Sequence, residues 1–199
     1  MTAEQLDQIY RKLSSPDFAN PATGNLTFPI YTYVYDPQYE NELASTLERL
    51  SDHLIRPTAY VETLVIDIFD FFLTYLKNKS FGNYGPFLDY LLKKEPENPD
   101  NILRILRSEA TSESFFQALD GEIKSFLESP GEYNKSYVFI YGIGKIYPYL
   151  RCGQFISNME RYVQGYKLII FYPGTHNTSF SLFGKLGERP YRPTKLINS

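Results

Sequence analysis

The chain has little of the residues on which disulfide, metal and nucleophile chemistry depend. Its 199 residues include no Trp, two His and one Cys. A single cysteine, Cys152, cannot form an internal disulfide, which fits a reducing cytoplasm and argues against a disulfide scaffold. His53, His176 and Cys152 do not stand at the spacing of zinc ligands. We therefore expect a cytoplasmic protein with no cofactor, no metal and no catalytic residue of its own.

Long apolar runs and an excess of positive charge are also missing. No stretch approaches the roughly 18 uncharged apolar residues that span a bilayer, and the most apolar segment, residues 63–76, carries Asp67 and Asp70. The first residues lack the basic and apolar regions of a signal peptide. A net charge of −3 gives no general attraction to phosphate backbones or anionic lipids. Neither a membrane nor nucleic acid is the expected default partner.

Aromatic residues, in contrast, are abundant. The 18 tyrosines and 15 phenylalanines make up 17% of the chain. A core of this size needs fewer rings, and tyrosine in particular is enriched where proteins contact each other. Some of these rings are therefore expected on a contact surface.

Segments with strand character alternate along the chain with segments of helical periodicity. β-branched and aromatic residues predict five strands, at residues 28–35, 60–68, 137–141, 166–172 and 191–197. The second is predicted to be buried, and the last is predicted at an edge of the sheet because it contains Pro193. Apolar residues at helical spacing predict helices at residues 2–14, 37–56, 69–76, at three places within 77–129, and from 144 to Gly165. Thr2 with Gln5, and Asp36 before Pro37, are typical helix starts.

The order of these segments predicts an α/β fold. Alternating strands and helices form a mainly parallel five-stranded sheet with helices on both faces. We expect one domain over residues 1–199, with a helical insertion at about 77–129. The remaining segments are predicted as a loop at 16–25, a linker at 93–100 and a short helical turn near Phe183.

Most of the candidate partner-binding residues lie just after the ends of the predicted strands. In parallel sheets, ligands and partners approach the carboxyl ends of the strands, which here are the loops after Tyr35, Tyr141 and Tyr172. Arg and Tyr are favoured anchors of protein interfaces. Together with two residues of the tail, these loops make up the predicted partner-binding set: Tyr35, Gly142, Gly144, Tyr147, Pro148, Arg151, Tyr172, Pro173, Gly174, Phe183 and Arg192. For Tyr147 and Arg151 the alternative is structural, with the ring packed on the sheet and the guanidinium paired with a carboxylate.

The turn Gly142-Ile143-Gly144-Lys145 invites a phosphate-binding interpretation, because a glycine-rich turn before a helix can direct N–H groups at an anion. The pattern is incomplete. A P-loop requires glycine at Phe139 and a hydroxyl at Ile146, and the dinucleotide motif requires glycine at Tyr147. A structural turn or a partner contact is favoured, and a degenerate nucleotide-binding regulator is kept as an alternative.

Other candidate groups have simpler explanations. Asp67 and Asp70 resemble an acidic metal site, but their spacing also suits the start of a helix, which we favour. Cys152 lies on an apolar helix face, which is typical of a buried, inert thiol. His53 near the end of a helix favours stability. His176 could act as a base, but a solvated loop residue is the favoured interpretation.

The tail, residues 179–199, differs in charge from the rest of the chain. It has four basic side chains and one acidic side chain, with Phe180, Phe183 and Tyr191 among them. This mixture favours a nucleic-acid-binding subunit as an alternative function. An edge strand that is charged to prevent pairing with other chains is the favoured explanation.

These motifs resemble those of a known family, the BrxB proteins of BREX phage-defence systems, and the resemblance extends over nearly the whole chain. The resemblance rests on three groups of residues: Phe28-Pro29-Ile30-Tyr31 with Tyr35-Asp36-Pro37; Gly142 to Arg151; and Ile169 to Gly174 followed by Ser181-Leu182-Phe183-Gly184. Between residues 77 and 129 only the helical character matches the family. At the level of the fold, the layout also resembles a P-loop ATPase core without its phosphate loop.

The resemblance implies a non-catalytic adaptor subunit in a system that methylates host DNA and blocks phage replication. The implied partners are a PglZ-type subunit of the phosphatase superfamily and other BREX components, with DNA association only through them. No catalytic residues are established for such proteins, so none is transferred to this chain.

Overall fold

A five-stranded, all-parallel sheet organises the molecule. The computed structural model describes residues 1–20, 29–55, 59–131, 133–174, 181–182, 186–187 and 194–197. The strands lie in the order β2-β3-β4-β1-β7, with these bounds: β1 Ile30–Tyr35, β2 Val61–Asp67, β3 Asn134–Tyr141, β4 Lys167–Pro173 and β7 Thr194–Lys195. The predicted α/β architecture with a parallel sheet is therefore confirmed.

The position of a strand in the sheet decides how deeply it is buried. β1 and β4 are buried along their whole length, because each has a neighbour on both sides and helices on both faces. β2 was predicted as a buried strand, but its middle residues are only half-buried because it forms one edge. β7, at the other edge, confirms the predicted edge strand at a shorter length.

Helices cover the two faces of the sheet. Within the described residues they have these bounds: α1 Ala3–Ser14, α2 Pro16–Ala19, α3 Glu40–Ile55, α4 Ile68–Asn78, α5 Phe87–Lys94, α6 Pro99–Ala110, α7 Glu113–Glu128, α8 Ile143–Ile146 and α9 Cys152–Met159. Short 3-10 turns at Pro37–Tyr39 and Gly82–Tyr84 precede α3 and α5. The predicted caps are present: the Thr2 hydroxyl accepts from the Gln5 N–H at 3.2 Å, and Asp36 Oδ1 accepts from the Gln38 N–H at 3.0 Å.

Two hydrophobic clusters, one on each face, hold the layers together. Apolar side chains of α1, α2 and α3 pack against one face, to which Tyr137 and Phe139 of β3 point. Helices α4 to α9 pack against the other face, to which the alternate residues Val138 and Ile140 point. This alternation is the two-residue period of a strand. Because the helices of segment 77–129 contribute to the second cluster, they share the core of the sheet.

Four local predictions are corrected by the structure. The predicted loop at 16–25 begins with helix α2, because the Ser15 hydroxyl and Pro16 form a helix start. The linker predicted at 93–100 shrinks to 95–98, since α5 runs to Lys94 and Asn98 caps α6. The remaining two corrections concern residues after 144.

The helix predicted from 144 to Gly165 is divided. Tyr147 leaves the helical conformation before Pro148, as residues before proline do, so α8 ends at Ile146 and α9 spans only Cys152–Met159. A helical turn was predicted near Phe183. Instead, two short strands, β5 Ser181–Leu182 and β6 Leu186–Gly187, pair antiparallel on either side of it. Phe183 itself lies outside the described residues.

Candidate functional site

The carboxyl ends of β2 and β3 are joined by an acidic side chain. Asp67, at the end of β2, has a side chain that is only 6% exposed. Its Oδ1 accepts from the N–H groups of Phe69 at 3.0 Å and Asp70 at 3.3 Å, and its Oδ2 accepts from Lys145 Nζ at 2.6 Å. Asp67 therefore starts helix α4, and the helix-start interpretation favoured for Asp67 and Asp70 is confirmed.

The glycine-rich turn between β3 and α8 serves this ion pair. Gly142 has a left-handed conformation (φ +79°), and a Cβ there would overlap Asp67 Oδ1. The ammonium of Lys145 lies 5.3 Å from the centre of the Tyr141 ring as well as on Asp67. Burial alone would lower the pKa of Lys145, but the Asp67 carboxylate outweighs it and raises that pKa. The lysine that a phosphate loop would direct at its ligand is thus bound within the protein.

The carboxyl ends of β1 and β4 are closed in a similar way. The Tyr35 hydroxyl donates to Glu40 Oε2, and burial together with this carboxylate raises the pKa of Tyr35. The backbone N–H of Gly174 donates to the Tyr35 carbonyl at 2.9 Å. Tyr35 is 2% exposed and Tyr172 is 0% exposed.

Several residues predicted to contact a partner are therefore inaccessible in this structure. Tyr35, Tyr172, Pro173 and Gly174 are all buried, because both faces of these central strands are covered by helices. Gly142 is also buried and Gly144 half-buried. These residues support the sheet and its turns and offer little accessible surface, and their predicted contact with a partner stays a prediction. Phe183, Arg192 and His176 lie outside the described residues.

The corner between α8 and α9 keeps an accessible part of the predicted set. Arg151 is exposed, while Tyr147 and Pro148 are half-buried. Pro148 and Arg151 line a cavity of about 320 Å³ together with residues of α6 and the start of α9: Arg107, Ser108, Thr111, Tyr149 and Gln154. The sequence analysis missed the α6 residues, because nothing in the local pattern joins 107 to 151.

A second accessible feature lies in the segment before α5, which the sequence analysis described only as helical. Phe81 is 39% exposed and Tyr84 is 68% exposed. The ring centres of Phe81 and Tyr90 lie 4.4 Å apart, and those of Tyr84 and Tyr90 lie 5.4 Å apart. We call residues 81–90 the aromatic loop. The only sequence signal for it was the excess of aromatic residues.

Backbone hydrogen bonds and an ion pair fix the aromatic loop. The N–H of Phe81 donates to the Gly85 carbonyl at 3.0 Å, and the N–H of Phe87 donates to the Lys79 carbonyl at 2.7 Å. Lys79 Nζ binds both carboxylate oxygens of Glu109 in α6, at 2.7 and 2.8 Å. Burial alone would lower the pKa of Lys79, but Glu109 raises it. The loop is thus tied to the neighbouring helix.

The remaining candidates of the sequence analysis have ordinary surroundings. Cys152 is buried in the core beside Ile156. His53 lies in the last turn of α3, with its ring 6.4 Å from that of Tyr10. Among the described residues, no group of three or more His, Cys, Asp or Glu side chains could hold a metal ion. No helix in the described part of the chain is long and apolar enough to span a membrane.

Comparison with known proteins identifies relatives of the chain. The model of the family described as BREX protein BrxB matches residues 64–196. A protein of Bacillus cereus (strain H3081.97) named BREX protein BrxB is 25% identical over 199 residues, which cover 98% of this chain and 97% of that protein. No solved structure matches.

The family match also refines the resemblance seen in the sequence. Two of its three motif groups fall inside residues 64–196, whereas the group at 28–37 lies before that range. The matched range runs through segment 77–129, where only helical character had been recognised. The chain therefore belongs to the BREX protein BrxB family, and this membership implies a role in BREX phage defence.

Proposed function

We propose that this chain is a non-catalytic, cytoplasmic adaptor of a BREX system, and that it binds a PglZ-type partner through the aromatic loop. The observation that carries the proposal is the exposure of Phe81 and Tyr84 on a loop that the rest of the fold holds in place. PglZ-type proteins are the partner that the family resemblance implies. The comparisons name the family and no partner.

The composition of the aromatic loop suits a protein contact. Exposed large hydrophobic side chains are rare on the described surface, yet Phe81, Tyr84 and Leu92 fall within one short stretch of the chain. Aromatic residues are enriched at protein interfaces, and tyrosine is one of the residue types that dominate binding energy. Clusters of exposed apolar groups mark interaction sites more often than isolated ones do.

The rigidity of the loop adds to this argument. Binding costs free energy whenever flexible side chains or loops must be ordered. Here the rings of Phe81 and Tyr90 already contact each other, and Lys79 ties the base of the loop to Glu109. A partner would meet a surface that is already formed, so more of the contact energy contributes to affinity.

The absence of catalysis in this proposal is supported by the carboxyl ends of the strands. The charged groups there are directed at each other, as Lys145 is bound to Asp67 and Tyr35 to Glu40. A general acid, a base or a phosphate-binding lysine has to be available to a substrate. These groups instead stabilise the turns that they join.

Co-elution of the purified chain with its PglZ-type partner tests the proposal. The double variant Phe81→Ser/Tyr84→Ser should weaken the complex at least thirtyfold, because the loss of even one interface anchor costs about 2 kcal/mol. Tyr60→Ser is the matched control. Tyr60 is also an exposed tyrosine (54%), but it stacks on Tyr133, and neither residue belongs to the aromatic loop. The control should bind like the unmodified chain.

A second pair of variants separates the aromatic loop from the corner that the sequence analysis favoured. Arg151→Glu and Tyr147→Ala should leave the complex intact if the aromatic loop is the docking surface. If these two variants release the partner while Phe81→Ser/Tyr84→Ser does not, the corner is the docking surface and the proposal is wrong. If the chain and a PglZ-type protein never co-elute, the adaptor function itself is contradicted.

A further inference from the structure

The cavity between α6 and the α8–α9 corner has an unusual lining. Of the seven residues around its volume of about 320 Å³, two are arginines, Arg107 and Arg151. Four others carry a hydroxyl or amide group, and none is acidic: Ser108, Thr111, Tyr149 and Gln154. The charge of the lining is therefore positive, although the chain as a whole is acidic.

Other arginines of the described residues are bound to side chains of the protein. Arg11 pairs with Asp7 at 2.8 Å, Arg161 pairs with Glu113 at 3.5 Å, and Arg104 binds the Asn101 side chain at 2.7 Å. Within the described residues, neither Arg107 nor Arg151 has a carboxylate within 4.0 Å. Two like charges thus line one cavity with no internal counter-charge, which leaves both guanidinium groups available to an anion.

Hydrogen bonds near the ends of two helices and a ring contact hold the walls of the cavity. The Thr111 hydroxyl donates to the Arg107 carbonyl at 2.8 Å, which fixes the end of α6. The N–H of Arg151 donates to Gln154 Oε1 at 3.3 Å, which fixes the start of α9. The ring of Tyr149 packs on Phe72 of α4, with 6.4 Å between ring centres. The elements that carry the two arginines are thus held in place before any ligand binds.

We propose that this cavity binds a small phosphate ester about the size of a nucleoside monophosphate. A guanidinium group can bind two phosphate oxygens at once. The hydroxyls of Ser108 and Tyr149 are further donors in the lining, whereas the Thr111 hydroxyl is bound to the Arg107 carbonyl. Arg151 also precedes the N-terminus of α9, an eight-residue helix whose dipole favours negative charge there. The volume lies in the range of small-molecule sites and exceeds the needs of a phosphate group alone. This inference does not rest on the proposed partner, because no residue of the aromatic loop lines the cavity.

Isothermal titration of the full chain with adenosine monophosphate and with inorganic phosphate tests the inference. Both should bind, and adenosine monophosphate should bind more tightly if the rest of the cavity holds the remainder of the ester. Equal affinities would show that the cavity recognises the phosphate group alone, and they would overturn the proposal that it binds a phosphate ester. Arg107→Gln and Arg151→Gln should each weaken binding about tenfold or more, as expected for the loss of a charged hydrogen-bonding partner.

Arg104→Gln is the matched control, because Arg104 lies one turn earlier on α6 and does not line the cavity. It should leave the affinity unchanged, and circular dichroism should show that all three variants remain folded. The inference is overturned if neither probe binds at millimolar concentration, or if sulfate and acetate bind equally well. Binding of a single-stranded oligonucleotide without binding of adenosine monophosphate would indicate a nucleic-acid interface instead and would also overturn it.

Discussion

The carboxyl ends of the strands and the helical layer of α4 to α9 use their polar and aromatic residues in opposite ways. At the strand ends, Asp67 binds Lys145 and Tyr35 binds Glu40, so the charges are satisfied inside the protein. In the helical layer, the aromatic loop and the cavity of Arg107 and Arg151 leave rings and charges accessible. The usual rule for α/β sheets directs attention to the strand ends. In this protein the helices between the strands carry the available surface.

This contrast predicts that variants at the strand ends change the free energy of unfolding, whereas variants of the exposed residues Phe81 and Tyr84 in the helical layer change partner binding. The two effects can be separated by measuring urea unfolding and partner binding on the same preparations. A strand-end variant that lost partner binding, or a variant of Phe81 or Tyr84 that lost stability, would break the comparison.

Gly142→Ala should lower the free energy of unfolding by about 3 kcal/mol. A left-handed alanine costs roughly 1–2 kcal/mol, and its Cβ would displace Asp67 Oδ1 from the start of α4, which costs about 1 kcal/mol more. Gly165→Ala is the matched control, since Gly165 also has a left-handed φ of +78° but has free space at its Cβ position. In urea unfolding, Gly165→Ala should lower the free energy of unfolding only by the conformational cost of a left-handed alanine.

Equal losses for Gly142→Ala and Gly165→Ala would show that the approach of Asp67 to the turn is unimportant. The contact between Asp67 and the Gly142 turn would then not stabilise the strand ends, as the comparison of the two regions assumes.

Asp67→Ala should lower the free energy of unfolding by about 2 kcal/mol, through loss of a helix cap and of the ion pair with Lys145. Asp70→Ala removes the same charge from the exposed first turn of α4 and should cost only a few tenths of a kcal/mol. Both variants should bind the PglZ-type partner normally. Lost partner binding in Asp67→Ala, measured at a temperature where it is folded, would indicate that the strand ends take part in docking.

Glu109→Gln should lower the free energy of unfolding by about 1 kcal/mol, because Lys79 loses its partner in a partly buried pair. Glu97→Gln is the control: Glu97 binds Lys94 at 2.7 Å, but the pair is more exposed and should contribute almost nothing. Glu109 raises the pKa of Lys79, so its stabilisation is complete below the ordinary lysine pKa and is lost as the pH rises through the raised value.

The difference between Glu109→Gln and the unmodified chain should therefore vanish at strongly alkaline pH. A difference that stayed constant with pH would mean that the Lys79 ammonium is not what Glu109 stabilises.

Tyr84→Ser should change the free energy of unfolding by less than about 0.5 kcal/mol, because its side chain is mostly exposed. The same substitution should nevertheless weaken partner binding. A large loss of stability would show that the ring supports the fold, and it would remove the distinction between the two regions.

Local features of the fold could be predicted from the sequence because they depend on neighbouring residues. Thr2 with Gln5, and Asp36 before Pro37, start helices through contacts within four residues. The strands were recognisable by composition, and their alternation with helices implied a parallel sheet. The burial of Tyr172 was not predictable in this way, since it follows from the central position of β4 in the strand order.

The accessible features depend on contacts between distant residues. Arg107 and Arg151 come together only because α6 packs beside the α8–α9 corner. The aromatic residues from Phe81 to Tyr90 are visible in the sequence, but a buried cluster would have the same composition. Their exposure depends on how the loop packs on the rest of the fold, where Gly82 and Gly85 have positive φ and Lys79 binds Glu109. The composition predicts a contact surface, but its position depends on packing between residues that are distant in the sequence.

The strand order has a consequence for how the chain is made. β1 is an early segment, yet its two neighbours in the sheet are β4 and β7, which the ribosome produces after β2 and β3. Extending a chain from Tyr35 to Lys167 takes on the order of ten seconds at ordinary rates of synthesis. During that time the backbone N–H and C=O groups of β1 have neither of their neighbouring strands to bind, and an unpaired apolar strand is prone to aggregate.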